Sequence, residues 1–191
     1  MNQGKALEHD DTVVVALDGR TVGTAVVTLM RLFLGAWMIV SGYSHWAPKF
    51  GLSPGFPQPL GTLEPSNEML VTMIEIGLFD IVKTVEIIGG LCLILGIFAP
   101  AATLLLLPIS AMVFYNAIFL NLRTERLFNP TYMGVMCLYI NIIVALGYIR
   151  YYIPMLSFHS AVGSIRDLKG LGAIFTRPGR NAAQRTGPSH G

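Results

Sequence analysis

The chain has 191 residues, of which 53% are hydrophobic and only 13% are charged, whereas about 25% are charged in an ordinary soluble domain. This composition excludes an ordinary soluble domain, and a formal net charge of +2 gives no basis for a nucleic-acid partner. Cys92 and Cys137 belong to no CxxC or Cys/His pattern, so the sequence predicts buried packing cysteines and no metal site. We predict an all-α protein embedded in the lipid bilayer.

Four segments are apolar over about the 20 residues that a membrane crossing requires. Pro100 separates the second segment from the third with almost no loop, so we predict a tight antiparallel hairpin there. Together the segments predict a four-helix transmembrane bundle within residues 22–163, with spans at about 22–44, 79–98, 101–121 and 132–153.

The remaining segments predict the orientation of the bundle. The leader 1–21 and the basic tail 164–191 are expected to be loosely ordered. The side that holds both termini carries eight Lys and Arg residues, against three in the opposite loops, so the termini are predicted to be cytoplasmic. The outer loop 45–67 is rich in Pro and Gly and either caps the bundle, docks a partner or forms a plain surface lid. We predict a multi-pass protein of a bacterial-type cytoplasmic (inner) membrane.

Ionisable residues within the spans predict a polar layer inside the bundle. A charge at membrane depth costs roughly 2.5–3.5 kcal/mol, so Arg31, Lys83 and Glu86 need polar partners. Depths counted at about 1.5 Å per residue place Arg31 within one helical turn of Glu86, and the two are predicted to pair or to share a partner. The same count places Asn141 near the level of Glu86 and Asn116 near the level of Lys83.

This layer has two interpretations. It either fixes the register of the helices, or it lines a cavity for the polar head of a lipophilic molecule. In the second case Arg31 or Lys83 donates to a carbonyl or an anion, and Glu86 exchanges a proton. An excess of donors over acceptors favours such a ligand. His45, at the outer interface, belongs either to an aromatic belt or to the headgroup site. The candidate ligand-binding residues are therefore Arg31, Lys83, Glu86, Asn116, Asn141 and His45, and no catalytic residue is singled out.

Two segments resemble DoxX-like integral membrane proteins. MRLFLGAWMIVSGYSHW, residues 30–46, is similar to the first helix of that family, with His45 or Lys49 at the place of a closing lysine. VKTVEIIGGLCLILGIFAPAATLLL, residues 82–106, is similar to its second helix and the short turn that follows. The family includes the quinone-linked DoxD and the maturation protein MauE. The resemblance implies a membrane redox or assembly role.

The resulting hypothesis is a DoxX-like membrane subunit that supports a quinone-coupled oxidoreductase, with quinone as the possible cofactor. Its expected partner is another redox or membrane protein subunit. The alternative is a non-catalytic scaffold or assembly factor, and whether the chain is itself an enzyme stays open. No pair of histidines within the spans predicts a haem site, and no GxGxxG fingerprint follows a strand.

Overall fold

The computed structural model describes residues 19–57 and 63–156, and all regular structure in these ranges is helical. A π-helical segment, Asn116–Leu120, continues the helix Ala99–Tyr115, and a short 3-10 helix, Ala47–Phe50, follows the helix Gly19–Trp46. The predicted all-α class is confirmed. The predicted leader and tail fall almost entirely outside the described residues. The helices are α1 (Gly19–Trp46), α2 (Glu64–Glu75), α3 (Leu78–Leu95), α4 (Ala99–Tyr115), α5 (Met133–Gly147) and α6 (Ile149–Tyr152), within one compact unit that ends at Ile153.

The four long helices surround a common apolar core. Helix α1 packs against α3 and α5, and α4 packs against the same two helices. Each of the four contributes fully buried side chains to this core, among them Leu34, Leu93, Leu106 and Val144. The short helix α2 lies against α3 and against the π-helical segment, so it covers one end of the group.

The lengths and surfaces of the helices fit a membrane protein. Two helical stretches, Thr21–Phe50 and Ala99–Leu120, are long and apolar enough to cross a bilayer, and a third is formed if α5 and α6 count as one bent span. Within each stretch, an apolar segment of 18 residues is only 17% buried in the first and 28% buried in the second, so most of its apolar side chains face outward. Helix α3 carries Asp80, Lys83 and Glu86 within 18 residues. Four crossings and cytoplasmic termini remain predictions.

The boundaries of the predicted outer loop differ from those in the structure. Residues 45–67 are not a continuous loop, because α1 runs to Trp46 and α2 begins at Glu64. Pro65 occupies the first turn of α2, where its missing N–H costs nothing. The chain turns at Gly77, whose φ of 73° is a conformation that glycine adopts without strain. Helices α2 and α3 are therefore separate elements.

Glycines fix how closely α1 approaches α3. A Cβ atom added to Gly35 would lie 2.8 Å from the carbonyl oxygen of Gly90, and one added to Gly42 would lie 2.7 Å from that of Lys83. Small residues allow such backbone contact between helices in lipid, where no hydrophobic effect drives them together. These contacts set an antiparallel register in which Gly35 lies beside Gly90 and Gly42 beside Lys83.

Candidate functional site

A buried ion pair lies on α3, where its two residues, Lys83 and Glu86, are about one helical turn apart. The ammonium nitrogen of Lys83 donates to both carboxylate oxygens of Glu86, at 2.9 and 3.1 Å, and to the hydroxyl of Ser41 on α1 at 2.9 Å. Glu86 is 2% exposed and Lys83 is 7% exposed. The three contacts match the three N–H donors of an ammonium group, so the cation is satisfied by the protein.

The pair forms part of the wall of a cavity of about 690 Å³. That volume falls within the range of about 300–1,000 Å³ typical of small-molecule sites. Apolar side chains supply most of the remaining wall, and methionines recur in it on α2, α4 and α5, namely Met69, Met73, Met112 and Met133. Methionine adapts its shape readily to different ligands. The cavity therefore combines a deformable apolar lining with one ionic group.

A second polar group in the wall fastens α2 over the cavity. The hydroxyl of Ser66, at the start of α2, donates to the side-chain oxygen of Asn116 at 3.0 Å. The amide of Asn121 donates to the hydroxyl of Ser66 at 2.9 Å. Asn116 begins the π-helical segment, and such segments often occur at functional sites. These bonds tie the first turn of α2 to the end of α4.

A third polar group lies at the edge of the cavity, between the end of α1 and the start of α3. His45, whose ring lines the cavity, places Nε2 2.7 Å from a carboxylate oxygen of Asp80. Lys49 donates to both oxygens of the same carboxylate at 2.6 and 2.7 Å. Asp80 and Lys49 are 40% and 44% exposed at their side chains. His45 thus joins the cavity wall to a half-exposed ion pair, while the buried pair of Lys83 and Glu86 lies in the wall itself.

The predicted pairing of Arg31 with Glu86 is wrong. Arg31 donates to the hydroxyl of Tyr148 at 3.2 Å and lies against Gly96, while Glu86 pairs with Lys83. Ten residues separate Glu86 from Gly96 on the chain, which corresponds to about 15 Å along a helix. The predicted depths assumed that each helix crosses from one common plane to another, whereas the glycine contacts shift α1 relative to α3.

Asn141 also lies apart from the ion pair. Its amide donates to the hydroxyl of Ser110 on α4 at 3.1 Å, and the residue is fully buried. Its side-chain oxygen has no hydrogen-bond partner in the described ranges 19–57 and 63–156. The predicted layer is therefore divided. His45, Lys83, Glu86 and Asn116 line the cavity, and Arg31 and Asn141 do not.

Sequence reasoning missed several polar partners. Asp80 carried a usable signal, because it is a third charge close to Lys83 within an apolar helix. No comparable signal in the sequence marked Ser41, Ser66 and Ser110, since serine is common at helix contacts in membranes. Within the part of the chain that the structure describes, no group of three or more His, Cys, Asp and Glu residues could hold a metal ion, and both cysteines are free thiols.

Comparisons of the chain with models of known protein families, with curated proteins and with solved structures give no match. The resemblance of residues 30–46 and 82–106 to DoxX-like proteins therefore stays a prediction.

Proposed function

We propose that this protein is a DoxX-like membrane subunit that supports a quinone-coupled oxidoreductase and receives a quinone-like headgroup in its cavity. The observation that carries the proposal is the position of the Lys83–Glu86 pair in the wall of an apolar, methionine-rich cavity. A buried charge pair is costly to retain. Its exposure to a ligand-sized space supports a role in binding, beyond that of holding α3 in place.

The residues that would hold a quinone are those that line the cavity and carry hydrogen-bond donors, namely Lys83, Asn116 and His45. Lys83 would exchange one contact with Glu86 for a contact with a carbonyl oxygen. Glu86 would then hold or release a proton at its carboxylate. A bound quinone supplies two-electron redox chemistry, which none of these side chains supplies. The oxidoreductase partner would exchange the electrons.

Binding is expected to quench the fluorescence of Trp37, because its ring stacks at 5.4 Å on Phe56, which lines the cavity. We expect a short-chain benzoquinone to quench it saturably in the detergent-purified protein. Met112→Phe fills part of the cavity and should weaken binding by roughly tenfold, given that overpacking costs about 1–3 kcal/mol. The matched control is Leu105→Phe on the same helix, where Leu105 is 52% exposed and outside the cavity wall.

An absence of saturable quenching, together with no quinone in solvent extracts of the purified protein, would contradict the quinone proposal. Equal quenching by both variants would place the bound quinone elsewhere on the protein.

The alternative function is a non-catalytic membrane scaffold or assembly factor. One observation favours it: the three donors of Lys83 are already satisfied by Ser41 and Glu86, so the pair needs no ligand. This function predicts that the protein purifies with a stoichiometric partner and that no lipophilic molecule occupies the cavity.

For the location we propose four membrane crossings in a bacterial-type cytoplasmic membrane, with both termini in the cytoplasm. Ser53 is exposed in the connection between α1 and α2. In a Cys92→Ser, Cys137→Ser background, Ser53→Cys should react with an impermeant maleimide in intact cells. Thr21→Cys, exposed at the start of α1, should react only after the cells are made permeable. The reverse pattern would invert the orientation.

A further inference from the structure

Two arginines and two tyrosines cluster where α5 bends into α6. The bend is 68° and falls at Tyr148, whose hydroxyl accepts a hydrogen bond from Arg31 at 3.2 Å. The rings of Tyr148 and Tyr151 lie 6.0 Å apart. The guanidinium of Arg150 lies 4.7 Å from the centre of the Tyr151 ring and donates to its hydroxyl at 2.8 Å. None of the four residues lines the cavity.

The cluster carries two positive charges without a carboxylate. Within residues 19–57 and 63–156, neither Arg31 nor Arg150 forms an ion pair with an acidic side chain. The Nε atom of Arg31 is also buried with no acceptor in these ranges. Buried donors are nearly always hydrogen-bonded, and a guanidinium offers five N–H donors in a fixed plane. The two guanidinium groups therefore favour an anionic ligand.

The backbone keeps space open for the guanidinium of Arg31. Gly96 ends α3 with a φ of 71°, and a Cβ atom there would lie 2.9 Å from Nη1 of Arg31. At the other side of the cluster, a Cβ atom on Gly147 would lie 2.6 Å from Val27. These two glycines bring the α3–α4 turn and the end of α5 close to α1. Arg31 is therefore partly buried against the end of α3, and we call its surroundings the recess.

Exposed apolar side chains border this recess. Leu95 and Ile97 flank Gly96 in the sequence and are 67% and 53% exposed, while Leu146 and Ile149 flank the bend and are 61% and 44% exposed. Arginine and tyrosine beside exposed hydrocarbon are typical of the membrane interface. There the polar atoms meet lipid phosphate and the apolar ones meet acyl chains.

We propose that this recess, formed by α1, the α3–α4 turn and the α5–α6 bend, binds the phosphate of an anionic phospholipid. Arg31 and Arg150 supply charge-assisted hydrogen bonds to the phosphate oxygens, for which a guanidinium fork is well suited. The hydroxyl of Tyr148 orients Arg31. The acyl chains lie against the apolar residues beside Gly96 and the bend. This site is independent of the cavity and of its proposed ligand.

The test is a lipid titration of the full chain in a non-ionic detergent, followed by native mass spectrometry. We expect phosphatidylglycerol to bind at least about tenfold more tightly than phosphatidylcholine with the same acyl chains. Arg150→Gln and Arg31→Gln should each remove most of this preference. The matched control is Arg126→Gln, because Arg126 also lies over a tyrosine ring, at 5.3 Å from the centre of Tyr132, but outside the cluster.

Equal affinity for the two lipids would overturn the proposal, as would equal effects of Arg150→Gln and Arg126→Gln. If Arg31→Gln does not fold, the exposed Arg150 still decides the result. Displacement of phosphatidylglycerol by millimolar inorganic phosphate would overturn the lipid assignment and leave a site for free anions.

Discussion

Removing either charge of the Lys83–Glu86 pair is expected to lower the free energy of unfolding by about 3–5 kcal/mol. Glu86→Gln leaves a buried ammonium group without its counterion, and Lys83→Met leaves a buried carboxylate without its own. Each orphaned charge keeps its desolvation cost and loses the attraction that offset it. Reversible unfolding of the purified protein in mixed micelles measures the loss.

The double variant Lys83→Met, Glu86→Leu should recover most of that stability, because apolar side chains of similar volume replace a buried pair at little or no cost. The matched control is Lys49→Met. Its pair with Asp80 is half-exposed, so its loss should cost no more than about 1 kcal/mol. Single variants at Lys83 and Glu86 that cost as little as this control would mean that the pair is hydrated in the folded protein.

The second large effect is expected at the contact between α1 and α3. Gly90→Ala would place a Cβ atom 2.7 Å from the carbonyl oxygen of Gly35. Because this oxygen belongs to the backbone, it cannot rotate away as a side-chain atom would. The helices must separate, so we expect a loss of about 1–3 kcal/mol, as for other overpacked sites. Thermal unfolding in detergent should show a clearly lower midpoint.

Gly23→Ala is the matched control, because no atom lies within 4 Å of the position that its Cβ would take. It lies on α1, where alanine favours the helix more than glycine does. A midpoint for Gly90→Ala as high as that for Gly23→Ala would show that α1 and α3 are not in backbone contact.

Part of the fold and of the site could be predicted from the sequence. Apolar runs of bilayer length and a low content of charge predict helices, and all regular structure in the described residues is helical. Charges within those runs marked Lys83 and Glu86 as unusual, and both line the cavity. His45 and Asn116, which were predicted from their levels in the membrane, also line the cavity.

The pairing of residues across helices could not be predicted. Register is set by close contacts such as those of Gly35 and Gly42, and a single sequence does not show which helix each glycine meets. As a result, Arg31 was assigned to Glu86 instead of to Tyr148.

The bend at Tyr148 also makes α5 much shorter than α1. Helix α5 has 15 residues before the bend, which is about 22 Å, whereas the 28 residues of α1 extend over about 42 Å. The hydrocarbon layer of a typical bilayer is about 30 Å thick. With the four crossings proposed above, the surrounding membrane would meet a short helix and a long one, and mismatch of this kind is relieved by local thinning and by tilt. We expect the bilayer to be thinner beside α5 and α1 to be inclined to the membrane normal.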